Sequence, residues 1–275
     1  PLRHCYMDIS KSDFALFRDF LERVCGILLG ENKEYLVVSR LRGIMKEKEF
    51  PSIGDLVKKI EVDSRLRERV VDAMTTNETL WFRDVHPFQI LQKRLLPELC
   101  EKQKSVDIWC AASSTGQEPY SISMIIEEFK RTNPGKLVNE RVTATDISNS
   151  VLESARKGEY DQLALGRGMP ADLLTRYFSK SDNGWRVMPN VSGRVQYRML
   201  NLLHPYSALG KFDIVFCRNV LIYFSADLKA DILTRIHGVL KPGGYLFLGA
   251  SEALSGVASL FDMVQCSPGI IYRKK

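Results

Sequence analysis

The chain has 275 residues, with 39 Lys plus Arg against 33 Asp plus Glu, giving a formal net charge of +6 at pH 7. That length fits one large domain or two modest ones, and a composition 45% hydrophobic and 26% charged excludes disordered and fibrous classes. No apolar run is long enough to span a bilayer, Pro1-Leu2-Arg3-His4 opens no signal-peptide core, and the positive balance allows an anionic partner without naming one.

Residues 1–75 read as helices only. Ser10 is placed to cap a helix carrying Phe14, Phe17, Leu21 and Val24 on one face, with Gly26 at its end. A second helix covers roughly Lys33 to Glu49. Pro51 breaks the chain, and Ser52 opens a short helix with Ile53, Leu56, Val57 and Ile60 inward. A fourth follows Asp63, burying Leu66, Val70, Val71 and Met74. Residues 76–100 form a connecting segment. It is rich in Thr, Asn, Trp, Phe and Arg (Asn77, Thr79, Trp81, Phe82, Arg83) and lacks the Gly and Ser of a flexible linker. Arg83 is suited to pair with a carboxylate in bidentate fashion, or the stretch is an interdomain packing strip.

From about Val106 strands and helices alternate through residues 101–275. Val106–Ala111, Arg141–Thr145, Phe212–Cys217 and Gly244–Gly249 read as strands. Gln117–Lys130, Ser148–Lys157 and Ala226–Leu240 read as helices. Such alternation implies a doubly wound, mostly parallel α/β sheet. Phe261–Cys266 and Ile270–Arg273 around Ser267-Pro268-Gly269 read as a final antiparallel hairpin. A parallel sheet ending in an antiparallel pair resembles the outline of a class I methyltransferase, here preceded by a small all-α domain. The stretch from about 159 to 200 breaks the alternation with a helix (Pro170–Phe178) and two strand-like pieces (Trp185–Val187 and Val195–Tyr197), and reads as an inserted β-containing subdomain.

The six cysteines (Cys5, Cys25, Cys100, Cys110, Cys217, Cys266) are scattered without close pairs or a Cys–His cluster. No metal site is expected, and a reduced, cytoplasmic setting is. The first strand leads into Ala111-Ala-Ser-Ser-Thr-Gly-Gln-Glu-Pro119. Small side chains there let the backbone approach a ligand at the carboxyl end of the sheet, or simply make a tight turn. Neither a P-loop nor a G-x-G-x-x-G is present. Glu118 has the wrong charge for a phosphate but suits an ammonium or sulfonium, and S-adenosylmethionine has both cations and no phosphate. Asp146 ends the second strand, where it can accept from ribose hydroxyls, cap the next helix, or both. Arg218 and Asn219 follow the strand Phe212–Cys217, as ligand contacts or as a solvated loop. The sequence there is not the Asn-Pro-Pro-Tyr of amino-nucleic-acid methyltransferases, so no nucleic-acid partner is expected.

Six segments occur in order: Thr75-Thr-Asn-Glu-Thr-Leu-Trp-Phe-Arg83, Ser114-Thr-Gly-Gln-Glu-Pro-Tyr-Ser121, Ala144-Thr-Asp-Ile-Ser148, Asn201-Leu-Leu203, Phe216-Cys-Arg-Asn-Val-Leu-Ile-Tyr-Phe224 and Leu240-Lys-Pro-Gly-Gly-Tyr-Leu-Phe-Leu-Gly249. Together they resemble the chemotaxis receptor methyltransferases of the CheR family, with Gln117 standing where the family often has Glu. The resemblance implies transfer of the methyl of S-adenosylmethionine to glutamates on the cytoplasmic helices of methyl-accepting chemoreceptors, leaving S-adenosylhomocysteine. It implies that Asn77, Thr79, Arg83, Glu118, Asp146, Asn201, Leu202, Arg218 and Asn219 line the cofactor site. Arg83 would lie near the methionine carboxylate, Glu118 near the ammonium, Asp146 on the ribose, and Asn201 and Leu202 at the adenine. Tyr223 and Arg83 would be the catalytic residues beside the transferred methyl. A monomer recruited to receptor arrays, without membrane insertion, is implied too, and some members hold a receptor's C-terminal peptide on the inserted subdomain.

A glutamate side chain is already a carboxylate at neutral pH and needs no general base, and the four histidines (His4, His86, His204, His237) fall outside the motifs. Two basic features are candidate docking surfaces: the helix bearing Lys33, Arg40, Arg42, Lys46 and Lys48, and the inserted subdomain with Arg186, Arg194 and Arg198. The competing readings are a non-catalytic adaptor with a degenerate site, and a nucleic-acid methyltransferase.

Overall fold

A computed structural model describes residues 8–275; His4 and Cys5 lie outside the described residues. The chain divides into two units, one of residues 1–76 with 223–225 and one of 77–222 with 226–275.

The first unit contains helices α1 (Lys11–Cys25), α2 (Glu34–Glu47), α3 (Ile53–Ile60) and α4 (Ser64–Met74). Their starts follow from local hydrogen bonding. Ser10 Oγ accepts from the Asp13 N–H (3.1 Å), Ser52 Oγ from Asp55 (3.1 Å) and Asp63 Oδ1 from Leu66 (3.0 Å). Helix α1 stops at Gly26 in the left-handed region (φ 77°). The expected inward residues are buried except Val24, which is only half-buried; Phe20 and Cys25 join that face instead. The basic face of α2 is smaller than its sequence suggests, because Arg40 donates to the Met74 and Thr75 carbonyls and holds the end of α4.

The second unit opens with the segment 77–85, then α5 (His86–Ile90), a π-helical turn (Leu91–Leu95) and α6 (Leu96–Cys100). Trp81, Phe82, Phe88, Leu91, Leu95 and Leu96 sit in the main core, so residues 77–100 are part of this unit rather than a connector. Next come β1 (Ser105–Ala111), α7 (Gln117–Thr132), β2 (Asn139–Asp146) and α8 (Asn149–Lys157). The inserted region holds β3 (Glu159–Tyr160), α9 (Gln162–Leu165), α10 (Ala171–Tyr177), β4 (Phe178–Ser181), β5 (Gly184–Val187) and α11 (Pro189–Ser192). The chain ends with β6 (Val195–Met199), β7 (Phe212–Cys217), α12 (Ala226–Val239), β8 (Leu240–Leu248), β9 (Phe261–Gln265) and β10 (Ile270–Lys274). The main sheet has the order β6-β2-β1-β7-β8-β10-β9, parallel except for β10, which runs antiparallel to β8 and β9. This is the doubly wound class I methyltransferase sheet with its final hairpin. Among the described residues no helix is long and apolar enough to cross a membrane.

Two sequence expectations are corrected. Val195–Tyr197 does not belong to the insertion: β6 pairs in parallel with β2, Val142 opposite Val195 through Asp146 opposite Met199. The inserted sheet is β3-β5-β4 alone and ends with Val187. The misassignment arose because β6 is an edge strand with only Val195 buried, while the central β7 is buried throughout. The strand expected over Gly244–Gly249 begins earlier, at Leu240, with a register shift against β7 around Gly243 (φ 74°).

Of the three arginines expected on the insertion, only Arg186 lies in its sheet; Arg194 precedes β6 and Arg198 is within it, and all three have partners in the fold. Arg194 has a side chain 7% exposed and pairs with Glu127 and with Glu140 (2.9 Å), while donating to the Ser123 carbonyl (3.1 Å). Arg186 pairs with Glu159, and Arg198 donates to the Ala208 carbonyl (3.3 Å). The expectation that these arginines form a free docking face therefore fails for Arg194. Burial would raise the Glu140 carboxyl, but hydrogen bonds from Lys130 and Arg194 outweigh it and hold it below the usual value. The stability from this lowered carboxyl is present above the unfolded-state pKa and is lost as pH falls through the folded one. Arg194→Met should cost about 3 kcal/mol by leaving Glu140 buried and less paired. Thermal denaturation would show it, with affinity for S-adenosylhomocysteine unchanged.

Candidate cofactor and active site

After β1 the chain climbs through two left-handed residues, Ala112 (φ 56°) and Ser114 (φ 50°), to Gly116 (φ 100°), where α7 begins. A Cβ at Gly116 would lie 2.8 Å from the Tyr197 hydroxyl and 2.9 Å from that of Tyr160, so only glycine fits. The loop is anchored at its neighbours. The Ser113 N–H donates to Thr145 O (2.9 Å), the Ser114 N–H to Asp146 Oδ2 (2.9 Å), and Ser114 Oγ to Asn77 O (3.0 Å).

Asp146 is buried at the end of β2, and its Oδ1 accepts from the Ser148 N–H (2.9 Å). The helix-cap alternative for Asp146 is corrected, since Ser148 caps α8 through Val151 N–H (3.3 Å). The Asp146 carbonyl accepts from Leu200 N–H (2.9 Å), which puts Asn201 and Leu202 beside it. There Asn201 Oδ1 accepts from Leu203 N–H (3.0 Å), and the Tyr206 hydroxyl donates to Leu202 O (2.7 Å).

Arg218 is no solvated loop residue. Its side chain is 1% exposed and bridges Glu118 (2.9 Å) and Asp84 (2.5 Å), while also donating to the Arg83 carbonyl (3.1 Å). The Cys110 thiol donates to the other Glu118 oxygen (3.1 Å). Burial, then the Glu118 charge and hydrogen bond, push the Cys110 thiol well above its ordinary value, so it stays a neutral donor. Arg83 is half-buried, and among the described residues its guanidinium has no ion pair or hydrogen bond. It rides on a turn in which Phe82 (φ 48°), Asp84 (φ 67°) and Val85 (φ 56°, ψ −55°) all have left-handed φ, a costly conformation for a β-branched residue.

Asn219 (φ 60°) follows Arg218, and its N–H donates to Glu252 Oε1 (2.5 Å). The same oxygen accepts from Gly249 N–H (2.9 Å), and Glu252 Oε2 from Leu221 N–H (2.8 Å). One carboxylate thus ties the loops after β7 and β8. Sequence reading missed Asp84, Cys110 and Glu252. For Glu252 the usable signal was an acidic residue three positions beyond the apolar strand that ends near Gly249. Thr79 is half-buried two residues from Asn77, and among the described residues no hydrogen bond ties its side chain to the set. Tyr223 belongs with residues 223–225 of the first unit, where its carbonyl accepts from Leu28 N–H (2.8 Å), so the hydrogen-bonded set does not include it. His86 lies beside the Arg83 turn, with Nδ1 2.9 Å from the Asp84 carbonyl. No group of His, Cys, Asp and Glu among the described residues is arranged to hold a metal ion.

These residues fit a zwitterionic, cationic nucleoside. Glu118 and Asp84 oppose the single guanidinium of Arg218, leaving surplus negative charge for an ammonium or sulfonium. Arg83 offers a carboxylate a guanidinium with no ion pair among the described residues. The carboxylate of Asp146 sits at the end of β2, on the carboxyl edge of the sheet, where nucleoside ligands bind in such folds.

Fold and site define an S-adenosylmethionine-dependent methyltransferase. Residues 12–75 match the family model for the CheR methyltransferase all-alpha domain, and residues 77–270 match that for the CheR methyltransferase SAM binding domain. Chemotaxis protein methyltransferase 1 of Pseudomonas aeruginosa is 58% identical over 274 residues, covering 98% of this chain and 100% of the relative. Chemotaxis protein methyltransferase Cher2 of Pseudomonas putida is 56% identical over 275 residues (98% and 100%), and the chemotaxis protein methyltransferase of Vibrio anguillarum 48% over 270 residues (97% and 98%). The chain belongs to the CheR family of chemotaxis protein methyltransferases.

Proposed function

We propose that this chain methylates glutamate side chains on the cytoplasmic helices of chemoreceptors, forming glutamate methyl esters. The carrying observation is that the two central carboxylates are both occupied as acceptors, Glu118 by Arg218 and Cys110 and Asp146 by the Ser114 and Ser148 amides. Neither is disposed to take a proton from a substrate, which suits a nucleophile that arrives already deprotonated. A glutamate, with a pKa of about 4.3, is one.

S-Adenosylmethionine supplies an electrophilic methyl on a sulfonium. When bound, it would pass that methyl to a carboxylate oxygen of the target, the C–S electron pair remaining on sulfur, with no proton to be moved. Asn77, Thr79, Arg83, Glu118, Asp146, Asn201, Leu202, Arg218 and Asn219 are the residues we assign to the cofactor. Arg83 would hold the methionine carboxylate, Glu118 the ammonium and Asp146 the ribose. Arg83 and Tyr223 are assigned nearest the transferred methyl. Their work is to orient the reactants and exclude water, since a desolvated carboxylate is the stronger nucleophile. The receptor-array setting and capture of a receptor C-terminal peptide as an added strand on the inserted sheet belong to the same proposal.

Transfer of labelled methyl to receptor cytoplasmic fragments tests it. The label should be released by mild base, as a carboxyl ester requires, and should vanish when the target glutamates are replaced by alanine. The rate should be flat above about pH 6, where the substrate carboxylate is fully ionised. Base-stable label, or label on nucleic acid, overturns the reading.

A further inference from the structure

The inserted sheet grips both segments that carry cofactor residues. Tyr160 of β3 donates from its hydroxyl to the Thr115 carbonyl (2.6 Å), one residue before Gly116. Its ring is also an edge-on neighbour of Trp81, with centroids 4.8 Å apart, and Phe178 of β4 packs on the same indole at 5.6 Å. Trp81 is fully buried four residues from Asn77 and two from Arg83; its backbone N–H donates to Arg167 O (3.0 Å), and the backbone N–H of Phe82 to Ser121 Oγ (3.1 Å). Two close approaches leave these parts little slack. A Cβ at Gly168 would lie 2.3 Å from the Trp81 carbonyl oxygen, and one at Gly184 2.3 Å from that of Tyr160.

We propose that Tyr160 is a positioning residue for the cofactor, coupling the inserted sheet to the Ser114–Glu118 loop so that the insertion sets the affinity for S-adenosylmethionine. The proposal rests on the placement of the cofactor at this loop. Tyr160 touches neither reacting atom. It fixes the carbonyl of Thr115, and with it the path of the backbone through Gly116, whose bare Cα faces the Tyr160 and Tyr197 hydroxyls. Burial pushes the Tyr160 hydroxyl well above its ordinary value, so it remains a donor at any working pH. By linkage, whatever distorts β3 from outside changes cofactor affinity, and bound cofactor changes affinity for that agent by the same factor.

The test is calorimetric titration of S-adenosylhomocysteine into the full chain and three variants, with a melting temperature for each. Tyr160→Phe should weaken binding about three- to tenfold, the effect of losing one neutral hydrogen bond. With a receptor fragment, the same variant should raise KM for S-adenosylmethionine by the same factor, with kcat at saturation within about twofold. Tyr177→Phe is the control, since its hydroxyl donates to Glu128 (2.8 Å) within the same unit and does not touch the loop. It should lower the melting temperature without changing affinity. Unchanged affinity in Tyr160→Phe, or an equal loss in Tyr177→Phe, overturns the coupling. Asp146→Ala reports separately on the cofactor placement: if affinity survives there, the placement is wrong, whatever Tyr160→Phe shows.

Discussion

Asp146→Ala should abolish measurable binding of S-adenosylhomocysteine, a loss of at least about 100-fold. A hydrogen bond to a charged group is worth about 1.5–3 kcal/mol, and a ribose diol makes two. The loss extends beyond the ligand. The carboxylate also receives the amides of Ser114 and Ser148, so its removal frees the loop after β1 and the start of α8 together. Asp146→Asn separates the two contributions, because its amide keeps one acceptor oxygen and turns the other into a donor. It should bind between wild type and Asp146→Ala, with a melting temperature nearer wild type. Calorimetry and thermal denaturation on the three proteins decide it, and wild-type affinity in Asp146→Ala would remove this residue from the site.

Arg218→Met should be the most damaging single change to stability, at about 3–5 kcal/mol, because it leaves two carboxylates facing each other without their cation. For a unit of this size that lowers the melting temperature by roughly 6–20 °C. The charge explanation predicts a rescue. Combining Arg218→Met with Glu118→Gln should recover part of the loss, because the second change removes one of the stranded charges. If the double variant is as unstable as the sum of the singles, the guanidinium acts by packing alone. Neither protein should bind S-adenosylhomocysteine like wild type, since both lose the arrangement that holds the Arg83 turn.

Most of the second unit could be read from residue patterns because its strands are apolar runs ending in polar loops. Phe212–Cys217 is the clearest, and its bounds match the structure. The caps Ser10, Ser52 and Asp63 were legible for the same local reason. The edge strand Val195–Met199 was not, since an edge strand mixes exposed and buried positions and its partner is about fifty residues away in sequence. In the site, Glu118, Asp146 and Arg218 stood out as charges at strand ends. Their partners did not: Asp84 reaches Arg218 across 134 residues and Cys110 reaches Glu118 across 8, while Glu252 meets the Asn219 amide across 33. Nothing in a linear pattern marks which charge will meet which. The buried state of Arg194 was hidden likewise, because an arginine in a basic stretch looks solvated until Glu127 and Glu140 are folded against it.

The left-handed residues Phe82, Asp84, Val85, Ala112, Ser114 and Asn219 are concentrated in the loops at the carboxyl edge of the sheet. Each such position costs on the order of 1 kcal/mol or more, so these loops draw down the stability that the core supplies. Thermal robustness and catalytic competence are therefore opposed in this unit. Selection for survival at high temperature alone would replace Val85 or Ala112 by glycine early, relaxing the turn that presents Arg83 and the loop that leads to Gly116. The hardier protein would be a poorer methyltransferase, and a screen for stable variants has to score turnover alongside heat resistance.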